Sequence, residues 1–392
     1  MRILQITKYY YPSVSFGGPV QCTYNISKYM VKKGHDVTVY ATDTADISSN
    51  ARIKERFELI NGAKVFFFPN VTRQIYGLFI SPGIIHALRK NINEFDIVHL
   101  HEYRTFQNLA FYYSRRKDTP YVLSVHGQLD YKQESWDTAL LRRLFNYVFG
   151  RNLLKDASKL FALTRLEASQ FLQRGIEDDK IVVIPNAIDP EDFSNPPPKG
   201  YFRNLFGLTD EEIILYLGRI SKLKGLDILI KAFSLLKRRS NVKLVLAGPD
   251  DGLLEPLQKI VASLKLRDKV LFTGALTRKL VVGALNDASV TVYPSLQEGF
   301  GIVPLESGIM GKPVIVSDYP SMEFVKKGQF GLVVEYGNII QLKEALETIL
   351  EDPELAKKLG QNGKSYVLEN FSWNVVGRKV EDIYNQVAAR HN

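Results

Sequence analysis

The sequence Ser289-Val-Thr-Val-Tyr-Pro-Ser-Leu-Gln-Glu298-Gly-Phe-Gly-Ile-Val-Pro-Leu-Glu306 carries two carboxylates on either side of a Gly-x-Gly turn. Its first residues are β-branched and aromatic and stop at a proline, which predicts a short buried strand. The residues from Pro304 to Met310 predict a helix with proline in its first turn. Glu298 is therefore expected on a loop at the carboxyl end of a strand, and Glu306 early in the following helix. Ligands bind at that edge of an open α/β sheet, and two carboxylates beside a glycine turn suit a polyhydroxylated ligand such as a sugar.

Short apolar runs alternate with amphipathic stretches along the chain, which predicts mostly parallel sheets with helices on both faces. Three consecutive prolines, 196–198, interrupt this pattern and predict a stiff linker, after which the alternation restarts. We therefore predict an α/β protein with two doubly wound domains, 1–197 and 198–372, whose sheets line a cleft with their carboxyl ends. A final amphipathic helix at 374–389 could pack on either domain. The predicted strands are residues 2–7, 36–41, 64–69, 96–101, 121–126, 159–162 and 181–185 in the first domain, and 213–217, 242–247, 270–273, 290–293, 314–317 and 332–335 in the second.

The composition is that of a folded protein, with 45% hydrophobic and 24% charged residues. A single cysteine, Cys22, excludes a disulfide framework and a cysteine zinc site within the chain, and favours a cytoplasmic location. No apolar run approaches the roughly 20 residues that span a bilayer. The net charge of +9 is spread along the chain without a nucleic-acid-binding signature, so we expect no nucleic acid partner. Anionic ligands, or peripheral contact with an anionic membrane, remain as partners for this charge.

The loop after the first predicted strand contains Gly17-Gly18, shortly before a helix predicted to begin near Val20. The free N–H groups of such a helix would form an anion site facing the cleft. The glycine pair could equally serve a tight turn that requires a positive φ. Its spacing is not Gly-x-Gly-x-x-Gly, which argues against a dinucleotide-dependent dehydrogenase.

Arg219 and Lys224 follow the first strand of the second domain, in the sequence Gly218-Arg-Ile-Ser-Lys-Leu-Lys-Gly225. A guanidinium and an ammonium group at the carboxyl end of a strand suit a pyrophosphate, the first through bidentate bonding and the second as a point charge. Basic residues in a loop often interact with solvent alone. Because the two-carboxylate segment lies in the same domain, we favour the pyrophosphate interpretation.

Histidines end two of the predicted strands. His126 could face the second domain across the cleft, or it could be a hydrogen-bonded core residue. His99 and His101 alternate along another strand and could form a metal pair, but no third ligand is evident. We therefore expect an ordinary strand end in which His101 lies nearer the cleft.

Two further segments have competing interpretations. Residues 73–90 are apolar and end in Arg89-Lys90, and could form an acceptor groove, a membrane-facing surface or a buried helix pair. The segment Gly360-Gln-Asn-Gly-Lys-Ser365 lacks the spacing of a P-loop and is expected to connect two helices.

Taken together, these motifs resemble the retaining glycosyltransferases of family 4, which have the GT-B fold. The resemblance covers nearly the whole chain and rests most specifically on the segment from Glu298 to Glu306, which matches the two-glutamate motif of the family without a gap. Ile184-Pro-Asn-Ala-Ile-Asp189 is similar to the family's Pro-Asn-Gly-Val-Asp segment, with Ala187 where glycine is usual. The final helix of the family crosses back to the first domain, which the resemblance implies for 374–389. The less specific matches are Gly17-Gly18, His126, Gly218-Arg219 and Lys224-Gly225.

The resemblance implies that the second domain binds a nucleotide-diphosphate sugar, linked to UDP or GDP. Glu306 would hold the ribose hydroxyls, and Arg219 and Lys224 the diphosphate. Breaking the sugar–phosphate bond leaves negative charge on the diphosphate, which fixed cations stabilise. No Asp-x-Asp metal motif lies between the domains. We therefore expect metal-independent transfer with retention of configuration, and no cofactor.

The resemblance also implies which residues surround the transferred sugar. Glu298 and the backbone amides of Gly299, Phe300, Gly301 and Ile302 would bind its hydroxyls. His126 and the amides of Gly17-Gly18 would lie over the reacting sugar and its phosphate. His126 and Glu298 are therefore the expected catalytic residues.

The expected acceptor is a hydroxyl of a glycan or glycolipid, such as a lipid-linked or cell-surface glycan intermediate. Aromatic and basic residues between 73 and 104 favour that surface of the first domain for it. We predict four acceptor contacts there: Tyr76, Phe79, His101 and Arg104. One alternative is a nucleotide-sugar epimerase or hydrolase with the same two-domain fold, which would release nucleotide without an acceptor. Another is a non-catalytic partner subunit that binds nucleotide sugar.

Overall fold

The computed structural model describes residues 1–13, 17–46, 51–71, 79–129, 143–237 and 239–390. It divides into two compact units: unit 1 comprises Met1–Asn186 with Trp373–Asn392, and unit 2 comprises Ala187–Ser372. Each unit contains one sheet whose strands alternate with helices along the chain. The chain is therefore the α/β protein with two doubly wound halves that the sequence predicts.

The boundary between the units falls after residue 186 rather than after the prolines at 196–198. Pro197 is buried, and its carbonyl accepts a hydrogen bond from Asn286 at 3.0 Å. The carboxylate of Asp287 accepts hydrogen bonds from the backbone N–H groups of Gly200 and Phe202 at 2.5 and 3.0 Å. These bonds attach the proline segment to unit 2, so it does not act as a free linker.

The sheet of unit 1 comprises β1 Arg2–Ile6, β2 Asp36–Thr42, β3 Phe57–Ile60, β4 Ala63–Phe68, β5 Ile97–His101, β6 Tyr121–Ser124, β7 Lys159–Ala162 and β8 Ile181–Val183. The strand order is β3-β4-β2-β1-β5-β6-β7-β8, and neighbours are parallel except for β3 with β4. The central strands β1, β5 and β6 are buried along almost their whole length, which is typical of a parallel sheet covered on both faces. The edge strand β3 was missed by the sequence prediction.

The sheet of unit 2 comprises β9 Glu212–Leu217, β10 Val242–Ala247, β11 Val270–Gly274, β12 Val290–Tyr293, β13 Val314–Ser317 and β14 Gly331–Val334. Its strands are all parallel, in the order β11-β10-β9-β12-β13-β14. Every strand predicted for this half is present, within one residue at either end.

The α-helices of unit 1 before the boundary are α1 Gly18–Lys32, α2 Gly83–Asn91, α3 Phe106–Ser114, α4 Arg151–Lys155 and α5 Arg165–Leu172. Those of unit 2 are α6 Tyr201–Leu205, α7 Leu226–Ser234, α8 Leu254–Ser263, α9 Arg278–Asp287, α10 Ile302–Ile309, α11 Glu323–Lys327, α12 Ile339–Glu351 and α13 Pro353–Phe371, and the chain ends with α14 Trp373–Ala389. None of the helices in the described ranges has both the length and the hydropathy that crossing a bilayer requires.

Helix α14 packs in unit 1 against α1 and β5. The hydroxyl of Tyr384 lies 2.5 Å from Nδ1 of His99. The close approach to α1 depends on Gly377, where a Cβ atom would lie 2.7 Å from the ring of Tyr29. The last helix of the chain therefore completes the packing of the first unit.

Three loops at the carboxyl edge of the unit 2 sheet pack against one another, because they follow the adjacent strands β10, β9 and β12. A Cβ atom at Gly225 would lie 2.2 Å from the carbonyl oxygen of Pro294, and one at Gly248 would lie 1.9 Å from that of Gly218. The φ values of Gly225 and Gly248 are 63° and 150°, which favour glycine. The loop after β9 is thereby fixed beside the loop that carries Glu298.

Candidate active site

Glu298, Lys224 and Tyr293 form a hydrogen-bonded cluster at the carboxyl edge of the unit 2 sheet. Tyr293 ends β12, and its hydroxyl lies 2.6 Å from Oε2 of Glu298. Nζ of Lys224 lies 2.5 Å from the same oxygen and 3.1 Å from the Tyr293 hydroxyl. The side chains of Lys224 and Glu298 are 13% and 18% exposed. The cluster therefore fixes one carboxylate and one ammonium group while leaving part of each accessible to a ligand.

Burial determines the protonation state of Tyr293 in this cluster. Burial, followed by the negative charge of Glu298, raises the pKa of Tyr293 well above its ordinary value. The neutral hydroxyl therefore donates a hydrogen bond to Glu298 and accepts one from Lys224. The ring of Tyr293 stacks on that of Tyr216, with centroids 6.3 Å apart, and this contact fixes its orientation.

Glu306 lies in α10 and forms an ion pair with Arg278, the first residue of α9. Nη2 of Arg278 also lies 3.6 Å from Oδ2 of Asp192, and its guanidinium lies over the ring of Phe193 at 4.6 Å. Burial raises the pKa of Glu306, and the charge of Arg278 opposes that shift. Arg278 thus favours the ionised form of a buried carboxylate, which is the form that can accept hydrogen bonds from two hydroxyl groups.

Arg219 follows β9 and pairs with a different acid. Its Nη1 lies 3.0 Å from Oδ2 of Asp251, and the two side chains are 55% and 50% exposed. A pair so exposed contributes about 0–1 kcal/mol, so the guanidinium can exchange Asp251 for a phosphate at little cost. The backbone of Arg219 is held more firmly, because its carbonyl accepts a hydrogen bond from the hydroxyl of Tyr216 at 2.8 Å.

The turn 299–301 leads into α10, whose N-cap is Gly301. No side chain caps this helix and its first turn carries no acidic residue, so its free N–H groups give the N-terminus a positive partial charge. The side chain of Phe300 is buried and stacks on Phe324 with centroids 5.1 Å apart. The turn can offer backbone amides to a ligand, whereas the ring of Phe300 belongs to the core.

In unit 1, Gly17 is the N-cap of α1 and has a φ of 76°. The first turn of α1 contains no acidic residue, and no side chain caps it. A Cβ atom at Gly17 would meet nothing within 4 Å, so the backbone conformation and not the space requires glycine. The positive φ confirms the tight-turn interpretation of the glycine pair. The anion site stays a prediction, for which the helix offers an uncapped N-terminus.

His126 follows β6 and lies beside two fully buried histidines of β5. Its Nε2 lies 3.1 Å from Nδ1 of His101, and the two rings stack with centroids 5.4 Å apart. The nitrogens of His99 are both used, by Ser124 at 2.8 Å and by Tyr384 at 2.5 Å. Burial lowers the pKa of His126 to about 4, and those of His99 and His101 lie well below the ordinary value for the same reason. All three imidazoles are therefore neutral at physiological pH.

In the described part of the chain, no third side chain joins His99 and His101 to complete a group that could hold a metal ion. Within the described ranges, no group of three or more His, Cys, Asp or Glu side chains could hold a metal ion. The structure thus brings His101 against His126 and Gln5 instead.

Glu167 supports the loop that carries His126. Its carboxylate accepts hydrogen bonds at 2.6 Å from the backbone N–H groups of both Gly127 and Leu163. Burial raises the pKa of Glu167 to about 7, and the two backbone bonds oppose the shift. The loop needs this support because His126 and Gly127 have φ values of 53° and 78°, two left-handed residues in succession. The sequence Thr164-Arg-Leu-Glu167 is a capping-box pattern that could have identified this residue.

The predicted acceptor contacts are only partly accessible. Tyr76 lies outside the described residues. Phe79 is 5% exposed and packs edge-on against Tyr9, and His101 is completely buried. In this structure Phe79 and His101 are therefore core residues that do not present their side chains to an acceptor.

Arg104, the fourth predicted acceptor contact, supports the backbone after β6. Its guanidinium donates hydrogen bonds to the carbonyl oxygens of Gln128 at 2.5 Å and Leu129 at 3.2 Å. Of the segment 73–90, the part after residue 78 is described and contains α2 with buried Ile84 and Leu88. That part corresponds to the buried-helix interpretation of the segment.

Sequence reasoning missed a buried ion pair at the carboxyl edge of the unit 1 sheet. Nζ of Lys8 lies 2.8 Å from Oε1 of Glu102, and the side chains are 10% and 2% exposed. Burial lowers the pKa of Lys8, but the charge of Glu102 and a contact with Tyr9 outweigh this, and the net shift is upward. Lys8 is therefore a fixed cation in the interior of unit 1.

Tyr293 and Arg278 are the site residues that the sequence reasoning missed in unit 2. Both lie at or after the carboxyl end of a strand. Tyr293 ends β12, and Arg278 follows β11 as the first residue of α9, after the N-cap Thr277. A polar side chain at the carboxyl end of a parallel strand was the available signal for both. Their partners depend on how neighbouring strands align, which the sequence does not display.

Comparison with known proteins agrees with this architecture. Residues 202–366 match the family model described as glycosyl transferases group 1, and residues 16–192 match the model of glycosyltransferase family 4. An uncharacterized glycosyltransferase of Methanocaldococcus jannaschii is 27% identical to this chain, and the alignment covers 98% of each protein. Sucrose-phosphate synthase from Thermosynechococcus elongatus superposes over 99% of both chains with a TM-score of 0.78 at 20% identity. HepE from Anabaena, solved in complex with UDP and glucose, superposes over 98% of this chain and 100% of its own, with a TM-score of 0.78 at 21% identity.

Proposed function

The chain belongs to the group 1 glycosyltransferases of family 4 and has their two-domain GT-B fold, and on this basis we propose the reaction that it catalyses. It transfers a sugar from a nucleotide-diphosphate sugar to a hydroxyl acceptor, with retention of the anomeric configuration. It does so without a metal ion or other cofactor. The donor is linked to UDP or GDP, and the acceptor is a lipid-linked or cell-surface glycan intermediate.

The observation that carries this proposal is the pairing of two glutamates with cations at one edge of the unit 2 sheet. Glu298 is held by Lys224 and Tyr293, and Glu306 by Arg278. Ionised carboxylates in fixed positions accept hydrogen bonds from vicinal hydroxyls, and a nucleotide sugar has such hydroxyls on its ribose and on its hexose. We assign Glu306 to the ribose and Glu298 to the transferred sugar.

The diphosphate is assigned to Arg219 and Lys224, and the amides at the N-terminus of α10 to the hydroxyls of the sugar. Departure of the nucleotide leaves negative charge on the diphosphate, and groups oriented before the reaction stabilise that charge at no cost of reorganisation. One such donor contributes about 3–4 kcal/mol to a transition state. Lys224 is already fixed by two hydrogen bonds, and Arg219 is restrained at its backbone. These cations supply what a metal ion supplies in other transferases.

In unit 1, we assign His126 to the transferred sugar and the amides at Gly17-Gly18 to its phosphate. The N-terminus of α1 is uncapped and carries no acidic residue in its first turn, which favours an anion. Peripheral contact with an anionic membrane would bring the enzyme to a lipid-linked acceptor on the cytoplasmic face, and the net charge of +9 supports this. HepE binds UDP in its solved complex, which supports a nucleotide diphosphate as the donor carrier.

The test is a transfer assay with purified protein and a panel of UDP- and GDP-linked sugars, in excess chelator. Lipid-linked and free glycans are offered as acceptors, and the anomeric configuration of the product is read by NMR. The proposal predicts transfer from one donor, dependence on an acceptor, and retention of configuration. It is contradicted by release of nucleotide without an acceptor, by an inverted product, or by activity that chelator abolishes and Mg²⁺ restores.

The matched variant for this assay is Glu298→Gln, which keeps the size of the side chain and removes its charge. We expect it to lose most of the transfer, by about a hundredfold or more, while its folding transition is unchanged. An exposed acid of the same unit, Glu354→Gln, serves as the control. Wild-type turnover in Glu298→Gln would remove Glu298 from the mechanism.

A further inference from the structure

A chain of buried hydrogen bonds leads from helix α1 to His126, and its first link is Ser27. The hydroxyl of Ser27 lies 2.9 Å from the carbonyl oxygen of Thr23, one turn earlier in α1. A carbonyl oxygen can only accept, so Ser27 donates its single proton there. The oxygen of Ser27 can then only accept from its other two neighbours, Gln5 and Tyr10.

The second link sets the orientation of the buried Gln5 amide. Nε2 of Gln5 lies 3.1 Å from the Ser27 oxygen and donates to it. The carbonyl end of the same amide, Oε1, therefore faces Nε2 of His101 at 3.0 Å. Because Oε1 accepts, Nε2 of His101 must carry a proton. Both Gln5 and His101 are completely buried, so water does not compete for these bonds.

The third link determines which ring nitrogen of His126 carries the proton. A neutral imidazole has one N–H and one lone pair, so His101 protonated at Nε2 has its lone pair at Nδ1. That atom lies 3.1 Å from Nε2 of His126, which must therefore donate. Burial keeps the pKa values of both histidines well below neutrality, which supports treating both rings as uncharged.

From this relay we infer that Gln5 and His101 are positioning residues that hold His126 as its Nε2-protonated tautomer, with the lone pair at Nδ1 available as a hydrogen-bond acceptor. As a residue, His126 is half-buried, in contrast to His101, which is completely buried. Glu167 restrains the same loop from the other side through Gly127. The ring of His126 is thereby fixed in both orientation and tautomer.

The inference sharpens the role of His126 and in that respect rests on the proposed function. A neutral imidazole with its lone pair at Nδ1 accepts a hydrogen bond from a sugar hydroxyl. It is not a cation that pairs with the diphosphate, and it does not donate a proton from Nδ1. His101 thus acts on the reaction only through His126.

NMR of protein with isotope-labelled histidine tests the relay without reference to catalysis, because the two ring nitrogens differ in shift when one is protonated. His126 is assigned by its loss in His126→Asn. The wild type is expected to show the Nε2-protonated tautomer of His126 near neutral pH. A His126 that is Nδ1-protonated or charged there overturns the inference, and this test requires only that His126→Asn folds so that the signal can be assigned.

Two variants of His101 test the coupling. His101→Gln supplies a side-chain oxygen that can accept from His126 in place of Nδ1, whereas His101→Leu has no acceptor. We expect the tautomer of His126 to be retained in the first variant and to become mixed in the second. An unchanged tautomer in His101→Leu overturns the relay.

Transfer kinetics on the same two variants separate the inference from the proposed function. His101→Leu should lower kcat by about tenfold with KM for the donor little changed, and His101→Gln should recover most of it. If the tautomer shifts in His101→Leu while kcat does not, the relay stands and the assignment of His126 to the reacting sugar fails.

Discussion

Lys224 and Glu298 meet at 2.5 Å between Nζ and Oε2, and they come from loops that follow two adjacent strands of the unit 2 sheet. In the proposed function, the pair places a cation for a phosphate next to an anion for a sugar hydroxyl. Neither group neutralises the other completely, because both keep some exposure and each can take a further partner. In a nucleotide sugar the carbon that bears the phosphate is bonded to a carbon that bears a hydroxyl, so a cation beside a carboxylate suits these two neighbouring groups.

The hydroxyl of Tyr293 is predicted to matter for catalysis more than for folding. Tyr293→Phe keeps the ring that stacks on Tyr216 and removes the hydroxyl that binds both Lys224 and Glu298. A hydrogen bond to a charged group contributes about 1.5–3 kcal/mol, so we expect kcat to fall by about tenfold or more. The measurement is steady-state transfer, with the thermal transition as a check of folding.

Tyr366→Phe is the matched control, since Tyr366 lies in the aromatic cluster of the same unit beside Phe330. It should transfer at the wild-type rate. Equal rates for Tyr293→Phe and Tyr366→Phe would show that the Tyr293 hydroxyl does not organise the site.

Arg278 is predicted to control the pH dependence of nucleotide binding through Glu306. Burial raises the pKa of Glu306 and Arg278 opposes this, so Arg278→Met should raise that pKa further. A protonated carboxyl group cannot accept two hydroxyl hydrogen bonds, and a raised pKa moves that loss to higher pH. We expect the affinity of Arg278→Met for the donor nucleotide to weaken at higher pH than that of the wild type, and to recover as pH rises further.

Calorimetric titration of Arg278→Met across pH checks this, with Lys279→Met as the control. Lys279 is the next residue of α9 and its ammonium lies over the ring of Tyr201 instead. A pH-independent affinity in Arg278→Met would contradict the assignment of Glu306 to the nucleotide.

The order of strands and helices could be predicted because each buried strand is a continuous apolar run between turn-forming residues. The edge strand β3 escaped detection because it is only four residues long and none of its residues is buried, with Phe57 and Leu59 48% and 67% exposed. The segment 360–365 was predicted to connect helices, but it lies within α13. Its glycines serve close packing, since a Cβ at Gly360 would lie 2.0 Å from the carbonyl oxygen of Gly311.

The site could be predicted where it is contiguous in sequence and not where it depends on strand alignment. Glu298 and Glu306 lie in one segment, and their places on the loop and in α10 were predicted correctly. Arg278 reaches Glu306 across the edge of the sheet, which no local pattern encodes. His101 was predicted as an acceptor contact because it ends a strand near the site, but its side chain points into the core.

Acid should destabilise the protein through its buried neutral histidines. The pKa of His126 falls from 6.5 to about 4 on folding, so the unfolded state binds more protons between these values. The unfolding free energy is unaffected by this histidine above pH 6.5 and decreases as pH falls toward 4. At about pH 5 the decrease amounts to about 2 kcal/mol. His99 and His101 act in the same direction, and Glu167, whose pKa is raised to about 7, acts in the opposite one.

Urea unfolding of the wild type and of His126→Asn at neutral and acidic pH tests the His126 contribution together with its effect on the neighbouring His99 and His101. The difference in unfolding free energy between the two proteins should shrink as pH falls, since Asn does not titrate. A difference that is independent of pH would show that His126 does not lie in a medium that disfavours its charge.

The central claim is that the edge of the unit 2 sheet carrying Glu306 and Glu298 binds the nucleotide of the donor. Calorimetric titration of UDP and GDP into the wild type, Glu306→Gln and the surface control Glu323→Gln tests it most directly. The account predicts that the wild type and the control bind one of the two nucleotides with equal affinity, and that Glu306→Gln binds it at least about tenfold more weakly. Equal affinity in all three proteins, or no binding of either nucleotide by the wild type, would contradict it.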